Sequence, residues 1–280
     1  MVAQGSGRSI RNVTQPTTAV APTRDAATIA VLHEGTVGME VFLLHRVTGM
    51  AFAGGMTVFP GGGVDARDTQ TDLTWVGPAP AWWAQRLGCP ADTAAALVCA
   101  AVRETFEECG VLLAGPTPDT VVGDTSEYGP ARAALVAKEL SFAQFLAAEG
   151  LVLRADLVRP WSHWITPEAE PRRYDTRFFV AALPDGQIAD GVTTEASHAE
   201  WQRPQEAIAE WRGGVRALLP PTWVTLTELD ACGDVAGVLA AERTIVPVMP
   251  SLVSDGDGFR VSFPGDEGYS THLGHARSAR

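Results

Sequence analysis

The sequence predicts a mixed α+β architecture, a single elaborated domain, and three observations lead there. Residues 27–33 (ATIAVLH) and 39–45 (MEVFLLH) are β-like runs joined by a glycine-containing turn, the pattern of a hairpin. Residues 94–102 are nearly all Ala, Leu, Val and Cys and read as a buried helix. Further strand-like and helical runs follow without an internal repeat.

Composition narrows the class. The chain has 280 residues, of which 46% are hydrophobic, ample for one large core. A net charge of −12 argues against a broad nucleic-acid-binding surface. An acidic protein still handles a phosphorylated small molecule where metal ions and a few arginines invert the local field. Cys89, Cys99, Cys109 and Cys232 form no CxxC pair and sit on apolar or helical stretches, so reduced thiols are expected and a zinc site is not. No apolar run approaches a membrane span, and residues 1–24 lack the apolar core of a signal peptide. The expectation is a cytoplasmic protein without membrane contact.

Taken in order, residues 1–24 are rich in Ser, Thr, Gln, Pro and Gly and are expected to be disordered. The hairpin follows, then a flexible loop over 48–56, a short strand at 57–60 and a glycine turn, Gly61-Gly62-Gly63. Residues 69–89 read as an excursion containing a short helix at 81–87. Pro90-Ala91-Asp92 opens the long helix. Residues 130–149 form two helices broken near Ser141. Strands are expected at 157–165, 177–183 and 198–202, and helices at 204–211, 222–232 and 235–243. Residues 246–249 and 259–263 are assigned to a last strand pair. The domain thus runs over 25–264, with a disordered tail over 265–280.

The long helix ends in Arg103-Glu104-Thr105-Phe106-Glu107-Glu108-Cys109-Gly110-Val111. At about 100° per residue, Glu104, Glu107 and Glu108 project to one side. Three carboxylates so close raise one another's pKa unless a cation sits among them, and magnesium or manganese is the hard cation that suits carboxylate oxygen. Acidic residues are also unfavourable near a helix C-terminus, and Gly110 marks that terminus as its αL stop. A solvated acidic helix end is the plainer alternative. Arg103, one turn before Glu107, is placed to hold that carboxylate.

Gly62, Asp68 and this helix resemble the box of the Nudix hydrolases: a glycine, five residues, an acid, a spacer of seven, then R-E-U-x-E-E-x-G-U with U a bulky aliphatic. Three departures are visible. Thr105 replaces an aliphatic, Asp68 stands where Glu is usual, and residues 69–102 replace the short spacer. An interrupted box preceded by V-F-P-G-G is similar to the branch of peroxisomal coenzyme A diphosphatases. The segments Trp164-Ile165-Thr166-Pro167 and Arg172-Arg173-Tyr174-Asp175-Thr176-Arg177-Phe178-Phe179 resemble that branch too. The C-terminal Arg277-Ser-Ala-Arg280 is not a Ser-Lys-Leu address, so peroxisomal localisation is not carried over.

The resemblance implies a Nudix fold, a mixed sheet sandwiched between helices, and metal-dependent cleavage of a pyrophosphate bond. It implies that Glu104, Glu107, Glu108 and the carbonyl of Gly62 hold Mg²⁺ or Mn²⁺ and that Arg103 orients the cluster. The base is one of these glutamates or a carboxylate in the loop from Asp190 to Glu195, with Glu195 the candidate on a mobile stretch. Arg46, Phe52, Arg172, Arg173 and Arg177 are the candidate substrate-binding residues. Guanidinium forks fit the 3′-phosphate of coenzyme A, and salt bridges to Glu168, Glu170 and Asp175 are the alternative. Phe52, Trp82 and Trp83 are candidates for an adenine or pantetheine site or for core packing, and His163 is expected to be packed. The leading substrate is coenzyme A or an acyl derivative. ADP-ribose, NADH and dinucleotides stay open, as do a non-catalytic binding module on the same scaffold and a homodimer. A Rossmann reading fails because the glycines lack G-x-G-x-x-G spacing.

Overall fold

The computed structural model describes residues 20–50, 52–69, 73–255 and 258–269, with the side chains of 255, 258 and 259 excepted. In chain order the first half comprises β1 (Thr23–Glu34), β2 (Met39–Arg46), β3 (Thr57–Val58), β4 (Gly61–Gly63), β5 (Trp75–Val76), α1 (Pro80–Leu87), α2 (Ala91–Cys109) and β6 (Ala114–Gly115). Then come α3 (Gly129–Val136), α4 (Phe142–Ala148), β7 (Val152–Arg154), β8 (Arg159–Ile165), β9 (Arg173–Ala182) and β10 (Ala196–Gln202). The chain closes with α5 (Pro204–Arg212), α6 (Pro220–Cys232), α7 (Val235–Ala240), β11 (Pro247–Val248), β12 (Ser251–Asp255) and β13 (Gly258–Ser262).

A mixed sheet of order β10-β2-β1-β9-β8-β11, with β3 on β2 and β4 on β1, forms the middle layer. β1 pairs in parallel with β9 from Thr23 to Leu32, while its other edge takes β4 at Ala26–Thr28 and β2 at Leu32–Glu34. Strict alternation explains why the strands read as continuous apolar runs, because both faces are covered. Ala27, Ile29 and Val31 face one core with Phe42, Leu44 and Phe179, under α1, α2, α3 and α4. Ala30 and Leu32 face the other with Val41, Leu43 and Val180, under α5, α6 and α7. The alanines at 94, 96, 100 and 101 let α2 lie close against the sheet, and all are buried. The helix break near Ser141 is a capping box: Ser141 and Gln144 exchange side-chain to backbone hydrogen bonds.

Several boundaries differ from the expectations. β1 begins at Thr23, inside the stretch expected to be disordered, because its parallel partner β9 extends down to Arg173. At the other end Tyr269 is buried, stacked on Trp211, and its hydroxyl donates to the Leu218 carbonyl at 2.9 Å. Expectations for 1–19 and 270–280 lie outside the described residues. The glycine run is a strand paired to β1, not a turn. The expected last strand pair is also redistributed. β11 joins the main sheet in parallel with β8, whereas β13 closes a local hairpin with β12. Within the insertion, Trp75–Val76 pairs with β7, part of a small sheet with β6 that alternation over two or three residues cannot announce. Among the described residues no helix is long and apolar enough to cross a membrane.

Candidate active site

The end of α2 is organised by one guanidinium. Arg103 Nε and Nη2 donate to the two oxygens of Asp68 at 2.9 and 3.0 Å. Its Nη1 donates to Glu104 at 2.8 Å and Glu107 at 3.1 Å, and Nη2 also reaches the Gly63 carbonyl at 3.0 Å. Asp68 is therefore part of the cluster despite the insertion: a 3₁₀ turn at Ala66–Thr69 returns it to the helix, where its side chain is 1% exposed. Asp in place of Glu still closes a bidentate fork. Thr105 fits a buried aliphatic position because its hydroxyl donates back to the Ala101 carbonyl at 2.8 Å. Gly110 ends the helix at φ 73°, its N–H bonded to Phe106.

The glycine strand earns its composition by proximity. Gly61 N–H donates to Glu108 Oε2 at 2.8 Å. A Cβ on Gly62 would lie 2.6 Å from the Glu104 carboxyl carbon, and one on Gly61 would lie 2.5 Å from the Ala27 carbonyl oxygen. Only glycine admits both approaches. The carbonyl that Arg103 engages on this strand is that of Gly63.

Burial pushes Glu104 up to about 7, against the pull of Arg103. Burial and the neighbouring Glu104 push Glu108 up to about 8, offset in part by the Gly61 N–H. Burial likewise raises Glu107, against the pull of Arg103. Two like-charged buried carboxylates, one with a single backbone donor, make a set of hard oxygen donors short of positive charge. That set fits a hard divalent cation by donor type and by charge. Among the described residues no three His, Cys, Asp or Glu side chains form a ready-made ligand cluster. Arg103 draws Glu107 and Glu104 toward itself.

Of the loop acids, Glu195 pairs with Arg46 at 2.8 Å and is half-exposed, and its charge contributes to raising Glu108. Arg46 is thus at the site but engaged, its Nε also meeting Met50 Sδ at 3.1 Å. Asp190 is locked in a two-pronged ion pair with Arg132 at 2.7 and 2.8 Å, which leaves Glu195 as the loop acid beside the box. Arg132 Nε also donates to the Glu107 carbonyl at 3.0 Å, supplying the cation that the acidic helix end lacks. Nothing in the local sequence of α3 marks Arg132, because its partners lie 25 and 58 residues away.

Two arginines of the expected cluster, Arg173 and Arg177, have partners within the fold. Arg177 is buried, ion-paired to Asp175, and donates to the Leu87 carbonyl at 3.3 Å, tethering the insertion helix α1. Arg173 donates to the carbonyls of Thr166 and Ala21 at 3.0 and 2.9 Å, fixing the β8–β9 turn and the start of the described chain. Strand geometry turns 173, 175 and 177 to one face, where Asp175 is the internal partner of Arg177. Arg172 is exposed at that turn. Phe52 is 37% exposed, edge-on to Tyr174 at 5.0 Å. Trp83 is core, Trp82 lies under the Arg86 guanidinium, and His163 bonds to Asp175 at 2.5 Å.

A sheet between two helical layers, with an R-E-x-x-E-E helix closed on a glycine strand, is the arrangement of a Nudix hydrolase, a pyrophosphatase family. The chain matches the NUDT19 Nudix domain over residues 80–229. It is 28% identical to the Gallus gallus "Acyl-coenzyme A diphosphatase NUDT19" over 84% of this chain and 74% of that protein. A Caenorhabditis elegans protein named "Putative nudix hydrolase 7" is 32% identical over 75% of this chain, which spans 62% of that relative's length. The crystal structure of a NUDIX hydrolase from Alicyclobacillus acidocaldarius superposes with a TM-score of 0.69 and 25% identity, covering 81% of this chain and 99% of that one. The chain belongs to the Nudix hydrolases, in the NUDT19 branch, a family typically dependent on divalent metal.

Proposed function

We propose that this protein hydrolyses the pyrophosphate linkage of coenzyme A or acyl-coenzyme A, giving 3′,5′-ADP and the corresponding 4′-phosphopantetheine. The observation that carries the reading is the closure of the split box: Arg103 joins Asp68 to Glu104 and Glu107, beside Glu108 on the glycine strand. The similarity to acyl-coenzyme A diphosphatases supports the substrate class.

In this reading Glu104, Glu107 and Glu108 hold Mg²⁺ or Mn²⁺. Bound there, the cation withdraws charge from the phosphate oxygens and lowers the pKa of water. Arg103 keeps the carboxylates aligned without competing for the substrate, because its donors are already engaged. Glu195 accepts the proton of the attacking water, and Arg46 restrains it between turnovers. Arg172 and Phe52, both exposed, are the remaining candidates for contacts beyond the scissile bond.

A product-resolved screen of coenzyme A, acyl-coenzyme A, NADH and ADP-ribose with Mg²⁺ or Mn²⁺ tests this. Highest kcat/KM on a coenzyme A species, with 3′,5′-ADP released, is expected. A clear preference for ADP-ribose or NADH would overturn the substrate, and no hydrolysis of any would overturn the activity.

A further inference from the structure

Asp190 and Glu195 bracket a segment anchored at both ends. At one end Asp190 N–H donates to the Cys109 carbonyl at 2.9 Å, the last residue of α2. The Asp190 carboxylate takes both prongs of Arg132 and also accepts the Val192 N–H at 2.9 Å. Arg132 Nη2 reaches the Val192 carbonyl at 3.3 Å. At the other end the Glu195 carbonyl accepts the Val47 N–H at 3.0 Å, and its carboxylate meets Arg46. The first anchor closes directly over the helix cap: a Cβ on Gly110 would lie 2.9 Å from Arg132 Nη1 and 3.0 Å from Asp190 Oδ2.

We propose that Arg132 is a positioning residue. It clamps the 190–195 loop to the C-terminus of the box helix, so that Glu195 faces the glutamates carried by that helix. One guanidinium reads two different elements, the Glu107 carbonyl on α2 and the Asp190 carboxylate on the loop. The distance between loop and helix is therefore set by a rigid fork rather than by two independent contacts. Asp190 is the counter-ion of this clamp and is unavailable as a base. A lysine keeps the charge but not the three-point geometry, so it does not substitute.

The role rests on Glu195 acting in hydrolysis, and the test separates the two. Arg132→Ala and Arg132→Lys are each expected to lower kcat on coenzyme A by roughly tenfold to 10²-fold, with KM little changed. In an Glu195→Gln background the same changes are expected to add less than about twofold, since the group being positioned is gone. Equal losses in both backgrounds, or unchanged kcat, would overturn the proposal. Hydrogen exchange of amides 190–196 gives a readout independent of turnover. Faster exchange in Arg132→Ala is expected, and unchanged exchange overturns the clamp even if the chain proves inactive on every diphosphate. Asp190→Ala removes the same contact from the loop side and is expected to reproduce both effects if Arg132→Ala does not fold. A soluble Asp190→Ala protein with wild-type exchange and kcat overturns the proposal.

Discussion

At the scale of single residues, the buried carboxylates set the behaviour. Glu104 and Glu108 titrate near 7 and 8 in the folded chain, above the ordinary 4.5. The folded state therefore binds their protons more tightly than the unfolded state does. The cost of burying them charged is full above about pH 8, shrinks as pH falls through that range, and vanishes below about 4.5. Carboxylates held low by partners, such as Asp65, act at lower pH and do not mask this. Without divalent cations, thermal stability is expected to fall as pH rises from about 5 to about 8, and Glu108→Gln is expected to flatten the curve. Thermal melts across that interval check it; a melting temperature that rises with pH contradicts it. Arg177 behaves differently. Arg177→Ala leaves the Asp175 carboxylate with His163 alone and releases α1, so a loss of about 3 kcal/mol of stability is expected in denaturant unfolding, with KM nearly unchanged. A selective loss on coenzyme A over dephospho-coenzyme A would return Arg177 to the substrate.

At the scale of elements, β4 meets α2 so closely that the Glu104 carboxylate lies where a side chain on Gly62 would begin. Gly62→Ala is expected to displace the Glu104 carboxylate and lower kcat by about 10²-fold, with the fold retained by circular dichroism. Wild-type turnover would show that Glu104 has room to spare. Gly110→Ala combines a left-handed φ with a cap already filled by Arg132 and Asp190, so it is expected to cost more than the roughly 1 kcal/mol of a simple αL glycine. Equilibrium unfolding reads the difference. The elements themselves were largely legible. Apolar runs covered on both faces reveal β1, β2 and β9, and the alanine-rich stretch with its acidic end reveals α2. Local chemistry did not extend to β4, since three glycines carry no pattern, nor to β5 and β6, which are only two residues long. Arg132 escaped for the same reason: its contacts are all long-range.

At the scale of the whole molecule, an insertion that separates Gly62 from α2 leaves the box intact because it is tied back on both sides. Asp68 returns to Arg103, and the C-terminus of α1 is held by Arg177 on the sheet. The two helical layers then have distinct tasks. One carries α2 and the site, while α5, α6 and the Trp211–Trp223–Tyr269 cluster close the opposite face. The most direct test of this account is hydrolysis of coenzyme A by wild type and by Glu108→Gln, with Mg²⁺ or Mn²⁺ and with 3′,5′-ADP quantified. Metal-dependent release of 3′,5′-ADP by the wild type, abolished in a folded Glu108→Gln protein, is the predicted result. Release without added metal after chelation, or wild-type turnover by Glu108→Gln, would contradict it.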